Sequence, residues 1–194
     1  MKTVLCFGDS NTWGYVPGSD SERFPRESRW PVRLAAALGG EWEVIAEGLN
    51  GRTASMDSPT ADGRNGLTYL VPCLQSHMPV DLLVIYLGTN DVSDRFRLPD
   101  ADAALAVARL VRAARASEAG PGGGAPDVLV VAPPPFEGHE LGPHYAEICT
   151  RLGCSFLDLD GVTRYSDVDP FHLDADGQAA VAIAVEESLR RMFV

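Results

Sequence analysis

Five short apolar runs occur along the chain, and each ends in a loop rich in glycine, proline or polar residues. They predict β-strands over residues 3–7, 42–46, 81–87, 128–132 and 155–159. The runs at 3–7 and 81–87 are apolar almost throughout, which is typical of strands buried on both faces of a parallel sheet.

Helical spacing of apolar residues appears between these strands, and after the last one it follows a candidate N-cap at Asp174. The predicted helices cover residues 31–38, 67–75, 101–116, about 143–152, and 175–192. In the third of these helices, we assign the apolar stripe of Leu105, Val107, Leu110 and Val111 to the core. Alternating strands and helices predict a mainly parallel sheet with helices on both faces. With right-handed crossovers, this pattern indicates an α/β fold: a three-layer α/β/α sandwich with a flavodoxin-like, five-stranded parallel sheet.

Two irregular segments bear on domain organisation. Residues 120–126 are rich in Gly and Pro and resemble a linker, but a strand and a candidate catalytic segment follow them. We therefore predict a single domain over residues 1–194. Residues 14–29 lack a regular pattern, and a loop of this length in a compact domain is usually functional. Because it begins beside a candidate nucleophile, we expect it to form a wall of the site.

Composition narrows the classes of function. The chain has 16 Lys and Arg against 27 Asp and Glu, and its net charge of −11 argues against nucleic acid or membrane surfaces as partners. The four cysteines show no CxxC spacing, and Cys6 and Cys73 lie among apolar residues. This favours buried thiols in a reducing compartment. Since no run resembles a signal peptide or a membrane helix, we expect a cytoplasmic location.

Ser10 is the candidate nucleophile, because it directly follows the first predicted strand in the segment Gly8-Asp9-Ser10. A serine hydroxyl needs a base to remove its proton, and a backbone N–H at a helix start can stabilise an oxyanion. The alternative is an ordinary helix N-cap serine. We interpret Asp9 as a buried acceptor that fixes this loop, with a metal or phosphate site as the alternative.

His172 is the candidate general base, and Asp169 is its candidate orienting partner. Three residues apart in a turn, the carboxylate can hold the imidazole in the tautomer that accepts a proton from Ser10. The alternative is a surface turn that contains both residue types by chance.

Two further residues are candidate oxyanion donors beside the N–H of Ser10. Asn90 follows the third strand and offers its side-chain amide, whereas Gly51 follows the second strand and offers its backbone N–H. Ordinary turn chemistry is the alternative for both. The chain lacks HExxH, Cys/His and calcium-loop motifs, and also GxGxxG and the P-loop, so we predict neither a metal nor a cofactor.

Taken together in this order, the four segments resemble the SGNH, or GDSL-type, hydrolase family, which is named for Ser, Gly, Asn and His. Here these residues are Ser10, Gly51, Asn90 and His172. The chain resembles the arylesterase/acyltransferase branch most closely. The matching stretches are 5–10, 12–14, 22–24, 29–30, 47–49, 52–53, 87–91, 130–131 and 133–135.

The resemblance implies a serine esterase that forms an acyl-enzyme from small aryl, alkyl or acetyl esters. It also implies water or an alcohol as acyl acceptor, perhydrolase activity with peroxide, and a homo-oligomer. Asn11, Trp13 and Tyr15 are the expected pocket residues. Position 11 usually carries Leu in this branch, and the segment 136–152 is shorter than its counterpart. The shortening leaves the octameric assembly and narrowed channel of such relatives open for this chain.

Three other hypotheses remain open at this stage. The same machinery serves carbohydrate acetylesterases and thioesterases. A receiver-like or phosphatase-like domain would instead place a divalent ion on Asp9 and Asp91, but that design calls for a late Lys, and Lys2 is the only lysine. A non-catalytic binding module is the third.

Overall fold

A computed structural model describes residues 1–193 and contains one sheet of five parallel strands in the order β2-β1-β3-β4-β5. The strands are β1 (Lys2–Gly8), β2 (Trp42–Gly48), β3 (Leu82–Tyr86), β4 (Asp127–Ala132) and β5 (Ser155–Asp158). The predicted α/β class and the flavodoxin-like order are both confirmed. Every predicted strand is present, with ends that differ by one or two residues.

Seven α-helices accompany the sheet in the described part of the chain. They are α1 (Ser10–Trp13), α2 (Trp30–Leu38), α3 (Gly66–Ser76), α4 (Thr89–Val92), α5 (Asp100–Arg115), α6 (Leu141–Leu152) and α7 (Ala175–Phe193). Helices α2 and α7 pack together on one face of the sheet, while α3, α5 and α6 pack in sequence on the other. This arrangement is the predicted three-layer sandwich. The short helices α1 and α4, which sequence periodicity did not indicate, lie directly after β1 and β3.

Helix α5 shows how patterning and charge define an element. Acidic residues occupy its first turn and arginines its last, which complements the helix dipole. Its buried stripe includes Val107, Leu110 and Val111, as predicted. Leu105, which the same pattern assigned to the core, is instead 51% exposed. It lies two positions before Val107, which turns its side chain to the opposite side of the helix.

The carboxyl ends of the three neighbouring strands β2, β1 and β3 are level with one another. Gly8 pairs with Gly48 on one side and with Tyr86 on the other. A Cβ at Gly48 would overlap the backbone of Thr12 and Trp13, so glycine there allows α1 to lie close over the sheet edge. The loops that carry Ser10, Gly51 and Asn90 therefore start from one edge.

Residues 14–29 form a folded loop with a short antiparallel bridge between Tyr15 and Arg23 and a 3-10 turn at Arg26–Ser28. The loop contacts the segment after β5, because the Gly18 N–H donates to Asp169 Oδ2 over 2.9 Å. Within residues 1–193, no helix combines the length and apolar character needed to cross a bilayer.

Candidate active site

Ser10 is the first residue of α1, and Asp9 is its N-cap. The Asp9 carboxylate accepts the Asn11 N–H over 2.9 Å, which fixes the turn between β1 and α1. As the first helical residue, Ser10 has a backbone N–H without an intrahelical acceptor. Ser10 is nearly buried, at 7% exposure.

His172 lies 162 positions further along the chain, yet its Nε2 is 3.0 Å from Ser10 Oγ. Its Nδ1 lies 3.0 and 3.1 Å from the two Asp169 carboxylate oxygens. The ring of Tyr15 stacks on the imidazole with a centroid separation of 4.3 Å. The structure thus brings together the three residues that the sequence analysis selected as nucleophile, base and orienting acid, at hydrogen-bond distances.

Asp169 is also the anchor of its own loop. Its Oδ1 accepts the N–H groups of Phe171 and His172 over 3.0 and 2.9 Å, and its Oδ2 accepts that of Gly18. Burial alone would raise the pKa of Asp169, but these hydrogen bonds and the contact with His172 outweigh it, and the pKa is lowered. The carboxylate is therefore held in its charged form.

The two remaining oxyanion candidates lie on neighbouring loops. Asn90, in α4, points its Nδ2 at the Arg52 carbonyl over 3.0 Å and at Asp9 Oδ2 over a longer 3.4 Å. Gly51 has φ of +72°, a conformation that favours glycine, while a Cβ there would meet nothing closer than 3.9 Å. The backbone conformation, rather than space, explains glycine at position 51.

Two buried carboxylates, Asp9 and Asp91, accept hydrogen bonds from the backbone of these loops. Asp91 is fully buried and accepts the Ala54 N–H with both oxygens at 3.0 Å, which ties the loop after β2 to α4. Burial raises the pKa of Asp91 to about 7 and that of Asp9 to about 6. Within residues 1–193, neither carboxylate joins a cluster of three potential metal ligands. Their observed partners are backbone and side-chain amides, as expected of structural acceptors.

The raised pKa of Asp91 predicts a pH-dependent cost to stability. Between the unfolded value near 4 and the folded value of about 7, the folded state binds the extra proton, so raising the pH favours unfolding. We expect the unfolding free energy of the protein, relative to Asp91→Asn, to fall by one or more kcal/mol from about pH 4 to about pH 8. Urea unfolding at both pH values measures this. The same difference in unfolding free energy between the protein and Asp91→Asn at both pH values would contradict the raised pKa of Asp91.

Ser10, Asn90 and His172 open into a cavity of about 270 Å³. The rest of its wall comes from Thr89, Ser93, Arg95 and Phe171, which the sequence analysis did not identify. Three of them lie within three residues of Asn90 or His172, so closeness along the chain was the available signal. Arg95 carried no signal beyond a charge in a loop. A larger cavity of about 440 Å³ lies at the other end of the sheet, and no Ser, Cys or His lines it.

Asn11, which was expected in the substrate pocket, does not line the 270 Å³ cavity. Its side chain is buried, donates to the Phe171 carbonyl over 2.9 Å and accepts the Leu173 N–H over 2.9 Å. The amide therefore clamps the backbone on both sides of His172. Trp13 and Tyr15 do not line the 270 Å³ cavity either. Their rings lie 6.4 Å apart and form a wall behind His172, because Tyr15 covers the imidazole.

We expect Asn11→Ala to destabilise the protein by about 1–3 kcal/mol, because the buried Leu173 N–H would lose its acceptor. We also expect a lower kcat, since the clamp holds the backbone beside His172. Chemical denaturation and steady-state kinetics measure both effects. Thr12→Val is the matched control, because the buried Thr12 hydroxyl has no hydrogen-bond partner and its loss should be nearly neutral. Equal stability of the two variants would contradict the clamp.

Comparisons with known proteins agree with this geometry. The model of the GDSL-like Lipase/Acylhydrolase family matches residues 6–180. Three solved structures align with this chain over the full length of both proteins, 100% of this chain and 100% of theirs. The native aryl esterase of M. smegmatis is 38% identical with a TM-score of 0.94. Est24, a carbohydrate acetylesterase from Sinorhizobium meliloti, is 35% identical with a TM-score of 0.93. A putative arylesterase from Agrobacterium tumefaciens str. C58 is 37% identical with a TM-score of 0.92. No curated protein matches significantly.

Proposed function

The chain belongs to the GDSL-like lipase/acylhydrolase family, and on that premise we propose that it is a serine esterase acting on small carboxylic esters through an acyl-enzyme. One observation carries the proposal: Ser10 Oγ lies 3.0 Å from His172 Nε2, with Asp169 on the far side of the imidazole. This is the arrangement in which a base removes the hydroxyl proton while a carboxylate stabilises the imidazolium.

The first half of the reaction acylates Ser10. Its oxygen attacks the ester carbonyl carbon as His172 Nε2 takes the hydroxyl proton, and the carbonyl oxygen becomes an oxyanion. Asp169 holds the Nδ1 proton of His172 throughout this step. When the intermediate collapses, the carbon–oxygen bond to the leaving group breaks, and His172 gives its proton to the departing alcohol.

The negative charge of the intermediate is shared among three donors on three loops: the N–H of Ser10, the N–H of Gly51 and the side-chain amide of Asn90. The weak 3.4 Å contact between Asn90 Nδ2 and Asp9 is the one that an oxyanion would replace. The 3.0 Å bond to the Arg52 carbonyl keeps the amide in place meanwhile. In the second half, water or an alcohol attacks the acyl-enzyme, with His172 again taking the proton.

We expect Asn90→Ala to lower kcat by about a hundred- to a thousandfold with a smaller change in KM, because the amide acts on the oxyanion and not on the bound ester. Steady-state hydrolysis of phenyl acetate measures this split. Asn50→Ala is a control on the neighbouring loop, since the buried Asn50 Oδ1 has no partner. A higher KM with an unchanged kcat would remove Asn90 from the proposed oxyanion hole.

The cavity supports a small substrate, because about 270 Å³ accommodates a short ester. Phe171 contributes an aromatic ring to the wall, which favours aryl or alkyl leaving groups. A second candidate is a carbohydrate acetylesterase. It is supported by the polar rim of Ser93 and Arg95 and by the similarity to the Sinorhizobium meliloti enzyme.

A panel of acetyl esters separates these candidates. We expect kcat/KM for phenyl acetate to exceed that for acetylated glucose and for S-phenyl thioacetate. A higher value for the sugar acetate would establish the second candidate, and a higher value for the thioester would establish a thioesterase. No turnover of any of them above the rate of the Ser10→Ala variant would overturn the serine esterase proposal.

Three expectations from the sequence stay predictions: a single domain over residues 1–194, a cytoplasmic location and a homo-oligomer. Acyl transfer to alcohols or peroxide is a further one, which product analysis in water–alcohol mixtures tests. Light scattering coupled to size-exclusion chromatography measures the oligomeric state.

A further inference from the structure

Cys73 and His77 lie one helical turn apart at the end of α3, where His77 is the C-cap residue. Residues four positions apart share one face of a helix, so the thiol and the imidazole point to the same side. Taken singly, they are a buried thiol and a helix-end histidine. Together they place one sulfur and one nitrogen donor beside β2.

Glu47 of β2 supplies a third donor from across the interface between sheet and helix. Its Oε1 lies 3.3 Å from His77 Nε2, and its Oε2 lies 3.4 Å from the Tyr69 hydroxyl. One ligand atom from each of Glu47, Cys73 and His77 lies within 4.8 Å of the other two. Within residues 1–193, no other three His, Cys, Asp or Glu side chains converge in this way.

The 3.3 Å between Glu47 Oε1 and His77 Nε2 matches the ligand separation of a tetrahedral zinc site, and Cys73 Sγ lies within 4.8 Å of the ligand atoms of both residues. With zinc–ligand bonds of about 2.0–2.3 Å, neighbouring ligand atoms lie roughly 3.3–3.8 Å apart. Any larger separation has to close when the ion binds, and the Glu47 side chain is partly exposed, at 21%. The imidazole of His77 is 33% exposed, so an ion and a water molecule reach the site from solvent.

The donor types select the ion. A thiolate and an imidazole favour zinc over magnesium and calcium, which prefer oxygen ligands. A thiol loses its proton when it binds zinc, so binding of the ion to Cys73 releases one proton to solvent. A zinc ion with one thiolate and one carboxylate is then neutral, and the exchange adds one positive charge to a chain of net charge −11.

We propose that Glu47, Cys73 and His77 bind one Zn²⁺ ion, with the fourth coordination position open to water. The site shares no residue with Ser10, Asp169 and His172 and does not depend on the proposed esterase activity.

Arg52 is the feature that opposes binding. Its guanidinium lies over the ring of Phe7 at 4.2 Å and near that of Tyr69 at 5.4 Å. Nη1 of Arg52 donates to the backbone carbonyls of Gly8 and Glu47, so this cation is fixed beside the backbone of Glu47. We therefore expect weaker affinity than in closed four-ligand zinc sites, where no such cation is present.

Titration of the full chain with Co²⁺ tests the proposal, because Co²⁺ replaces zinc and reports its ligands by absorption. We expect one equivalent to bind with visible bands of tetrahedral cobalt and a near-ultraviolet thiolate-to-cobalt band, and Zn²⁺ to displace it. Cys73→Ser should remove the thiolate band. Glu47→Gln and His77→Gln should weaken binding by more than about a hundredfold, since even outer partners of metal ligands contribute about 10–100-fold.

Matched controls separate this site from other thiols and imidazoles. Cys154→Ser removes the one partly exposed cysteine of the described residues, and His139→Gln removes a histidine that pairs with Asp100 at 2.6 Å. His172→Gln removes the candidate catalytic base. All three should keep the thiolate band, with circular dichroism confirming the fold of each variant. Less than one equivalent bound by the unaltered chain, or a band that survives Cys73→Ser or Cys73→Ala, overturns the proposal.

Discussion

Ser10→Ala is expected to abolish ester hydrolysis, with kcat reduced on the order of 10⁶-fold, because no other hydroxyl can take the place of the attacking oxygen. The rate that remains above uncatalysed hydrolysis would come from the oxyanion donors and from substrate binding, which the substitution leaves in place. The hydrogen bond from Ser10 to His172 is the only one that the Ser10 hydroxyl makes within residues 1–193. We therefore expect the unfolding free energy to change little.

A fluorophosphonate probe gives an independent measurement, since it forms a covalent bond with an activated serine. We expect mass spectrometry to find the label at Ser10 and to find none after Ser10→Ala. Ser93→Ala is the matched control, because Ser93 lines the same cavity but donates its hydroxyl to the Asn90 carbonyl over 2.7 Å. That variant should still be labelled. Near-normal turnover by Ser10→Ala would remove the acyl-enzyme mechanism.

The fold was predictable because its determinants are local. Apolar runs, helical stripes and the turns between them specified five strands and the long helices, and chirality left few topologies to consider. The short helices α1 and α4 were missed, since four residues give no periodicity. Leu105 was misplaced because it was grouped with Val107, although residues two positions apart lie on opposite sides of a helix.

The candidate triad was predictable for a different reason. Loops after adjacent parallel strands meet at one edge, so the positions of Ser10 and Asn90 behind their strands implied that they lie close together. The contacts of Asn11 were not predictable, because its partners at positions 171 and 173 lie at the other end of the chain. A polar residue beside a nucleophile suggested the pocket, whereas its side chain points towards the segment that carries His172.

The proposed zinc site illustrates the same difficulty. Cys73 was interpreted correctly as a buried thiol, but nothing local connects Cys73 or His77 with Glu47, which is 26 positions before Cys73. Only the packing of α3 against the β1–β2 edge brings these donors together. Contacts between elements distant in sequence therefore account for most of what the sequence analysis missed.

Asp169→Asn is expected to lower kcat by about 10⁴-fold, because an amide in place of the carboxylate favours the wrong tautomer of His172. If the new amide donates to Nδ1, the ring carries its proton on Nε2 and cannot accept the proton of Ser10. The variant also loses one of the oxygens that accept the N–H groups of Gly18, Phe171 and His172, so we expect lower stability as well.

Asp167→Asn is the matched control for this experiment, since Asp167 lies two positions away in the same loop. Its carboxylate is 80% exposed and pairs only with Arg164, a surface contact that contributes little to stability. Steady-state kinetics should give a normal kcat for this variant, and thermal unfolding a nearly unchanged midpoint. If Asp169→Asn retained activity similar to that of Asp167→Asn, Asp169 would be an anchor of its loop and not the orienting partner of His172. The base would then act without a carboxylate, and the proposed triad would reduce to a Ser10–His172 pair.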